Sequence, residues 1–297
     1  MNTVMEMDDK CCSYDDEPEW LTCRQGMEES KPDEIWACIS ALSNAAVLAG
    51  QSDLLSTESR FSDLSFDQLF LYSHMRGIKL HKRTFKQNLE LLTQNGHYNM
   101  LAQLLSDNPH IPIRFVVFKG KDKASTMYAV REYGHMCVLL SLEKVLDFGD
   151  TLNVPQADER ERKVERKEVP LFSKIAFTEA VINAFAHNQW VHGDSPMFTA
   201  YEDRIEIVSL GTLPPGQTKE GFFAGSSIPV NKKLSEILRR VHIRGKSERG
   251  VPRIVRDYGR QAFEFKNNAI VVTIPFDRLD LRDTLLDTPL DTPLDTP

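Results

Sequence analysis

The sequence predicts a mixed α+β protein, with a mostly helical first half and a second half that combines strands with helices. Residues 61–106 place apolar side chains three and four positions apart, which is the spacing of helices packed on one face. Residues 113–118 switch to a short run of β-branched and aromatic side chains, which is typical of a strand. Residues 170–276 then alternate strand patterns with helical ones. These three observations define the predicted fold class.

Composition limits the classes of function. With 41% hydrophobic residues, the 297-residue chain can build a hydrophobic core. The net charge of −7 gives no general attraction to nucleic acid, so a DNA contact would need a local basic patch or a separate domain. No apolar run reaches the roughly 18 residues of a membrane span. Because the N-terminus is acidic and does not resemble a signal peptide, we expect a cytoplasmic protein without a membrane partner.

The first half of the chain contains several helical patterns before its first strand. One helix begins near residue 66, with Asp63 or Ser65 as the candidate N-cap, and stops at Gly77. The other elements predicted in this half are helices over residues 33–50, 84–93 and 98–105, a strand over 113–118, a helix over 126–147 and a half-exposed strand over 164–169.

The second half contains two predicted strand hairpins with helices around them. The first is joined by two residues, and the second by Asn267-Asn268, which tolerates the positive φ angles of a type I′ turn. The predicted elements are helices over 173–189, 231–240 and 251–258, and strands over 197–201, 204–208, 262–266 and 269–275. A Leu-Asp-Thr-Pro repeat then ends the chain as a low-complexity tail, because proline at every fourth position excludes regular structure.

The strongest chemical signal is a polar stripe on the helix over residues 173–189. Glu179, Asn183 and His187 recur every four positions between apolar neighbours, so they lie above one another on a helix otherwise suited to burial. Burial of these groups costs free energy unless they are paired or bind a ligand. A carboxylate can polarise a water for attack on a phosphate, and an amide oxygen can bind Mg²⁺. The alternative is a polar face packed against solvent or a neighbouring strand.

Five motifs of the second half occur in an order that is typical of a known family. They are Phe-Thr-Glu-Ala-Val-Ile-Asn-Ala-Phe-Ala-His (177–187), Asp-Arg-Ile-Glu-Ile (203–207), Gly-Thr-Leu-Pro-Pro (211–215), Ser-Ile-Pro-Val-Asn (227–231) and Arg-Gly-Val-Pro-Arg-Ile (249–254). Through these motifs the chain is similar to the GHKL ATPases of the Bergerat fold, and more closely to their branch of bacterial transcriptional regulators with an N-terminal Schlafen/AlbA-type domain. The resemblance implies that the C-terminal part is a two-layer α/β sandwich.

The resemblance also implies a domain organisation. Residues 1–60 form an acidic, partly disordered extension, and residues 61–164 form a partial Schlafen/AlbA-type domain with a connecting α/β segment. Residues 165–276 form the GHKL-type ATP-binding domain, and residues 277–297 form the tail. The sheet that usually opens the Schlafen/AlbA-type domain is not recognisable, so this domain is expected to be incomplete.

Roles for individual residues follow from the resemblance. It implies that Glu179 is the water-activating base and that Asn183 is the Mg²⁺ ligand. Ser209 stands where the family usually has the aspartate that holds adenine, and Glu248 replaces a glycine of the lid. The residues implied to contact the nucleotide are Asn183, His187, Ser209, Gly211, Ser227, Asn231, Arg249 and Gly250.

The functional expectation is a regulatory protein that binds ATP and Mg²⁺, with weak or no ATP hydrolysis. Two alternatives stay open: a DNA-associated module whose GHKL fold is a scaffold, or a truncated member without ligand. DNA would contact the N-terminal region or a partner protein, and a homodimer is a further open partner. Two nearby features have simpler interpretations: Trp190 is predicted to belong to the core, and His187 with His192 to make ordinary hydrogen bonds rather than a metal site.

Overall fold

A computed structural model describes residues 53–158, 167–191, 193–226, 228–241 and 250–277. All of these fall in one compact unit, Ser52–Pro297. The predicted helix over residues 33–50 and the repeat tail lie outside the described residues. The same is true of the site candidates Ser227 and Arg249, of Glu248 and of His192.

The N-terminal part of the described chain contains three short helices: α1 (Asp67–Met75), α2 (Phe85–Asn88) and α3 (Met100–Leu105). The predicted helix over 84–93 is a single turn, because Glu90 takes a positive φ of 56° that ends the helical path. The prediction for the start of α1 is also wrong. Neither Asp63 nor Ser65 caps it; the carboxylate of Asp107, distant in sequence, accepts the N–H groups of Asp67 and Gln68.

The strands form a six-stranded sheet that runs through both halves of the chain. Its order is β2-β1-β5-β6-β8-β7, and all neighbours are antiparallel except β1 and β5. A separate pair, β3 (Gln156–Asp158) with β4 (Lys167–Val169), is antiparallel. The strands of the large sheet are β1 (Arg114–Phe118), β2 (Met127–Glu132), β5 (Met197–Ala200), β6 (Arg204–Leu210), β7 (Phe263–Lys266) and β8 (Ala269–Pro275).

The predicted helix over residues 126–147 is wrong in its first part. Residues 127–132 form strand β2 at the sheet edge, and only Val138–Leu152 form a helix, α4. Gly134 lies between the two elements. The chain there passes so close to Ile111 that a Cβ would lie 2.0 Å from the Ile111 backbone oxygen. The apolar spacing of Met127 and Val130 fits both a helix and an exposed strand, so the pattern could not separate them.

Helices α4 and α5 (Lys174–His187) pack on one face of the sheet. The Phe115 ring on β1 lies 5.0 Å from Phe148 of α4, and Phe198 on β5 lies 5.8 Å from Phe185 of α5. The helices also approach each other closely, since a Cβ on Gly149 would fall 2.1 Å from the Phe177 ring. This arrangement confirms the predicted α+β fold class.

The remaining α-helices of the described chain are α6 (Lys219–Phe223), α7 (Lys232–Arg240) and α8 (Gly250–Tyr258). Both predicted hairpins are confirmed by antiparallel pairing, β5 with β6 and β7 with β8. The predicted type I′ turn is wrong, because the described non-glycine residues with positive φ are Glu90 and His110, and neither lies in the turn. Among the described helices, none is long and apolar enough to cross a membrane.

The domain boundary placed near residue 164 stays a prediction. Strands β1 and β2 precede that boundary, yet they share one sheet with β5, β6, β8 and β7, which follow it. β1 pairs directly with β5 along four residues of each strand. Strands from both predicted segments therefore belong to one sheet.

Candidate functional site

The start of helix α5 is fixed against the end of helix α8. Ser173 caps α5 by accepting the N–H of Ala176 at 3.3 Å, and its hydroxyl donates to Asp257 at 2.7 Å. The Ser173 N–H donates to the Tyr258 hydroxyl oxygen at 2.7 Å. A hydrogen bond from Arg256, helped by that from Ser173, lowers the pKa of Asp257, while burial raises the pKa of Tyr258. At neutral pH the pair is therefore a carboxylate and a neutral phenol.

The polar stripe of α5 does not face open solvent. Glu179 is buried, and Asn183 and His187 are half-buried. Each of the three makes contacts with other groups of the protein. Asn183 and His187 face a cavity enclosed by α5, α8, the loop after β6 and the sheet strands β6, β8 and β7. The stripe is thus directed into the molecule, with Asn183 and His187 at the wall of the cavity.

The cavity and its open mouth together hold about 840 Å³ of space. Its described lining contains no Asp, Glu, Lys or Arg side chain. The floor is apolar, from Ile207, Ile270, Val272 and Phe263 of the sheet. The polar side chains in the described lining are those of Asn183, His187, Ser209, Thr212, Gln217 and Ser226.

Helix α8 begins directly against the polar stripe. A Cβ on Gly250 would lie 2.6 Å from Glu179 Oε2 and 3.1 Å from Asn183 Nδ2, so a larger residue would displace the end of the Glu179 side chain. The first N–H groups of a helix have no partner within it, and they carry its positive dipole end. Glu179 therefore lies beside positive potential. It also faces Arg253, whose Nη1 is 3.8 Å from Glu179 Oε1.

The loop after β6 forms the opposite side of the cavity. Gly211 has a φ of 115°, which side-chain-bearing residues rarely adopt, and its N–H donates to Asn268 O at 3.0 Å. Ser209, the last floor residue before this loop, donates its hydroxyl to Ile270 O at 3.4 Å. The polar group at the apolar floor is thus a small neutral hydroxyl.

Asn188, which the sequence analysis did not single out, joins α5 to the cavity loop. Its side-chain oxygen accepts the N–H of Leu210 at 2.9 Å, and its amide donates to Asp194 O at 3.1 Å. Asn231 then donates to Asn188 O at 2.8 Å and to Ala186 O at 3.0 Å. Asparagine near a helix end is a common capping signal, but these distant partners cannot be read from it.

Six of the sequence-predicted site residues surround the cavity or its edge. Asn183, His187, Ser209, Gly211 and Gly250 line it, and Glu179 lies directly behind Gly250. Asn231 does not line it; its amide holds the end of α5, and a nucleotide contact for it stays a prediction. In the described residues no group of three His, Cys, Asp or Glu side chains could hold a metal ion.

The core interpretation of Trp190 is confirmed. The side chain is fully buried just after α5, and its ring lies 5.9 Å from that of Phe185. Its indole N–H donates to Phe185 O at 3.0 Å, which satisfies the polar atom without a ligand. Trp190 therefore supports the end of the helix that carries the polar stripe.

Replacing Asn188 with alanine should destabilise the protein by about 1–3 kcal/mol, because the Leu210 N–H loses its acceptor. Urea unfolding followed by circular dichroism measures the change. Asn95→Ala, in an exposed turn, serves as the control and should lie within about 0.5 kcal/mol of the wild type. Equal stability of the two variants would show that Asn188 does not hold the loop.

Comparison with known proteins agrees with an ATPase-like C-terminal region. Residues 193–275 match the family described as "Putative ATP-dependent DNA helicase recG C-terminal". The match covers β5 through β8 and the helices between them, but it excludes α5 with Glu179 and Asn183. No functionally curated protein matches the chain.

A solved structure supports the fold. The DIP2311 protein from Corynebacterium diphtheriae has a similar fold, with a TM-score of 0.57 and 17% sequence identity. The alignment covers 76% of this chain and 48% of that one, so this chain spans about half the length of that protein. At this identity the likeness concerns the fold alone.

Proposed function

We propose that this protein binds Mg²⁺-ATP in the cavity between α5, α8 and the sheet, as a regulatory protein of the GHKL type with weak or no turnover. The observation that carries the proposal is the meeting of Glu179, Asn183 and Gly250 at one edge of a cavity whose described lining carries no Asp, Glu, Lys or Arg side chain. The ATPase-like family match over the rest of the cavity walls supports it.

The two ends of the cavity suit the two ends of a nucleotide. The floor of Ile207, Ile270 and Val272 offers apolar contact for a base, and the Ser209 hydroxyl offers one hydrogen bond at that end. The start of α8 offers backbone N–H groups and a positive dipole end, which is a common arrangement for phosphate. The proposed orientation therefore places the base over the sheet and the phosphates at Gly250.

The small number of protein ligands at this site suits Mg²⁺ better than it suits a cation that is held by protein groups alone. Asn183 would supply one neutral oxygen, and Mg²⁺ commonly takes one or two protein ligands together with waters and phosphate oxygens. When bound, the ion would neutralise phosphate charge. Glu179, which like Asn183 lies close to Gly250 at the start of α8, is the group that could accept a proton from an attacking water.

One feature favours slow or absent turnover and another favours weak binding. The carboxylate of Glu179 is already near the Arg253 guanidinium, and an ion-paired carboxylate is a weaker base. Ser209 gives the base end a hydroxyl, which forms a weaker hydrogen bond than a carboxylate would and so lowers the expected affinity for ATP. A site that holds ATP without rapid hydrolysis suits regulation, with the position of α8 reporting the nucleotide state.

The proposal is tested by Asn183→Ala, assayed in the full chain by calorimetric titration with ATP, in Mg²⁺ and in EDTA. The wild type should bind more tightly with Mg²⁺, while the variant should show the same weak affinity in both buffers, with an unchanged melting temperature. Glu179→Gln should keep the Mg²⁺ effect and lose any phosphate release, because an amide cannot accept the proton. An undiminished Mg²⁺ effect in Asn183→Ala would contradict the proposed ligand.

A further inference from the structure

Arg253 lies one turn into α8, with its Nη1 3.8 Å from Glu179 Oε1. Its side chain is 40% exposed, whereas that of Glu179 is 11% exposed. A second carboxylate, Asp257, follows one turn later on the same helix and also feels the charge of Arg253. Asp257 has hydrogen-bond partners of its own in Arg256 and Ser173. Arg253 is therefore placed to neutralise the buried carboxylate of Glu179.

The pairing of Glu179 with Arg253 affects how strongly the cavity would bind the phosphates of ATP. Glu179 lies behind Gly250, at the end of the cavity where the phosphates would bind. An uncompensated carboxylate there would repel a triphosphate strongly, since like charges a few ångströms apart in a low-dielectric site interact far more than in water. No Lys or Arg side chain is present in the described lining of the cavity, and Arg253 is the cation that the described residues place beside Glu179.

We infer that Arg253 neutralises Glu179 and thereby makes the cavity accept a triphosphate in preference to a diphosphate. The inference rests on the proposed function and extends it to a specificity-determining residue. Arg253 acts through Glu179 and is a positioning residue. The charge that it offsets acts mainly on the γ-phosphate, so ADP binding should depend on Arg253 much less than ATP binding does.

The test is a double-mutant cycle in the full chain, with Arg253→Gln, Glu179→Gln and the double variant. Affinities for Mg²⁺-ATP and Mg²⁺-ADP are measured by calorimetry, and melting temperatures are measured without nucleotide. Arg256→Gln is the matched control, because Arg256 lies on the same helix, is exposed and pairs with Asp257 rather than Glu179. Its ratio of ATP to ADP affinity should equal that of the wild type.

Arg253→Gln should weaken ATP binding by about tenfold, or about 1.4 kcal/mol, and change ADP binding by less than about twofold. Adding Glu179→Gln should restore the ATP affinity, since the charge to be neutralised is gone. The melting temperature should follow the same pattern, with a fall of about 2–4 °C in Arg253→Gln and recovery in the double variant.

Distinct results would overturn the inference. If the double variant binds ATP as weakly as Arg253→Gln, then Arg253 contacts phosphate directly and does not act through Glu179. If Arg253→Gln keeps the wild-type preference for ATP, Arg253 has no part in specificity. A wild type that binds neither nucleotide would contradict the proposed function. The melting temperatures would then test the charge pairing alone, and a double variant that melts no higher than Arg253→Gln would contradict it.

Discussion

Replacing Gly250 with alanine is expected to abolish Mg²⁺-ATP binding. The new Cβ would lie 2.6 Å from Glu179 Oε2 and 3.1 Å from Asn183 Nδ2, so either both side chains or the start of α8 must move. Displacing groups at a site by about 1 Å can cost roughly a hundredfold in function. We therefore expect at least about a hundredfold loss of affinity, measured by calorimetry with ATP and Mg²⁺.

Whether Gly250→Ala raises or lowers the stability shows whether the new Cβ contacts Glu179 and Asn183. In an ordinary helix position, alanine in place of glycine stabilises by about 0.5–1 kcal/mol. Here the contact with Glu179 and Asn183 should reverse the sign and lower the melting temperature. Gly221→Ala in α6 is the control, since its Cβ would lie 3.2 Å from Thr218 Oγ1 and 3.7 Å or more from its next neighbours, Ser226 and Gln217, without the 2.6 Å contact of Gly250. Wild-type affinity in Gly250→Ala would show that α8 does not approach the stripe.

Replacing Trp190 with alanine should produce the largest loss of stability. The side chain is fully buried and packs against Phe185, and such truncations cost about 3–5 kcal/mol. The change should lower the melting temperature by on the order of 10 °C. Urea unfolding with fluorescence and circular dichroism measures the free energy of unfolding directly.

Trp190→Phe separates packing from hydrogen bonding. It keeps an aromatic ring in the core but removes the N–H that donates to Phe185 O. We expect an intermediate loss, because the carbonyl loses one partner and a smaller cavity forms. If Trp190→Ala were as stable as the wild type, the end of α5 would not depend on this core, and the support assigned to Trp190 would be wrong.

The sequence predicted local features of this protein well. Strands β5 to β8 and helices α5, α7 and α8 are predicted because, in each segment, the spacing of the apolar residues and the turn residues at the ends indicate the same element. The stripe of Glu179, Asn183 and His187 was visible for the same reason, since helical spacing alone places the three on one face.

Features that depend on distant partners were not predictable. Asp107 caps α1 from about forty positions away, and Asn188 accepts the N–H of Leu210 across the fold. The sequence of strand β2 fits a helix as well as a strand, because an exposed edge strand has no inward-facing apolar row to mark its period. The family resemblance named Gly250, but only the structure brings it within contact distance of Glu179 and Asn183.

Binding of Mg²⁺-ATP in this cavity is tested most directly by a calorimetric titration of the wild-type chain with ATP, in Mg²⁺ and in EDTA. We expect saturable binding at one site per chain, clearly tighter with Mg²⁺ and abolished in Gly250→Ala. A folded wild-type protein that shows no saturable binding up to millimolar ATP, or the same affinity with and without Mg²⁺ and in the Gly250 variant, would contradict it.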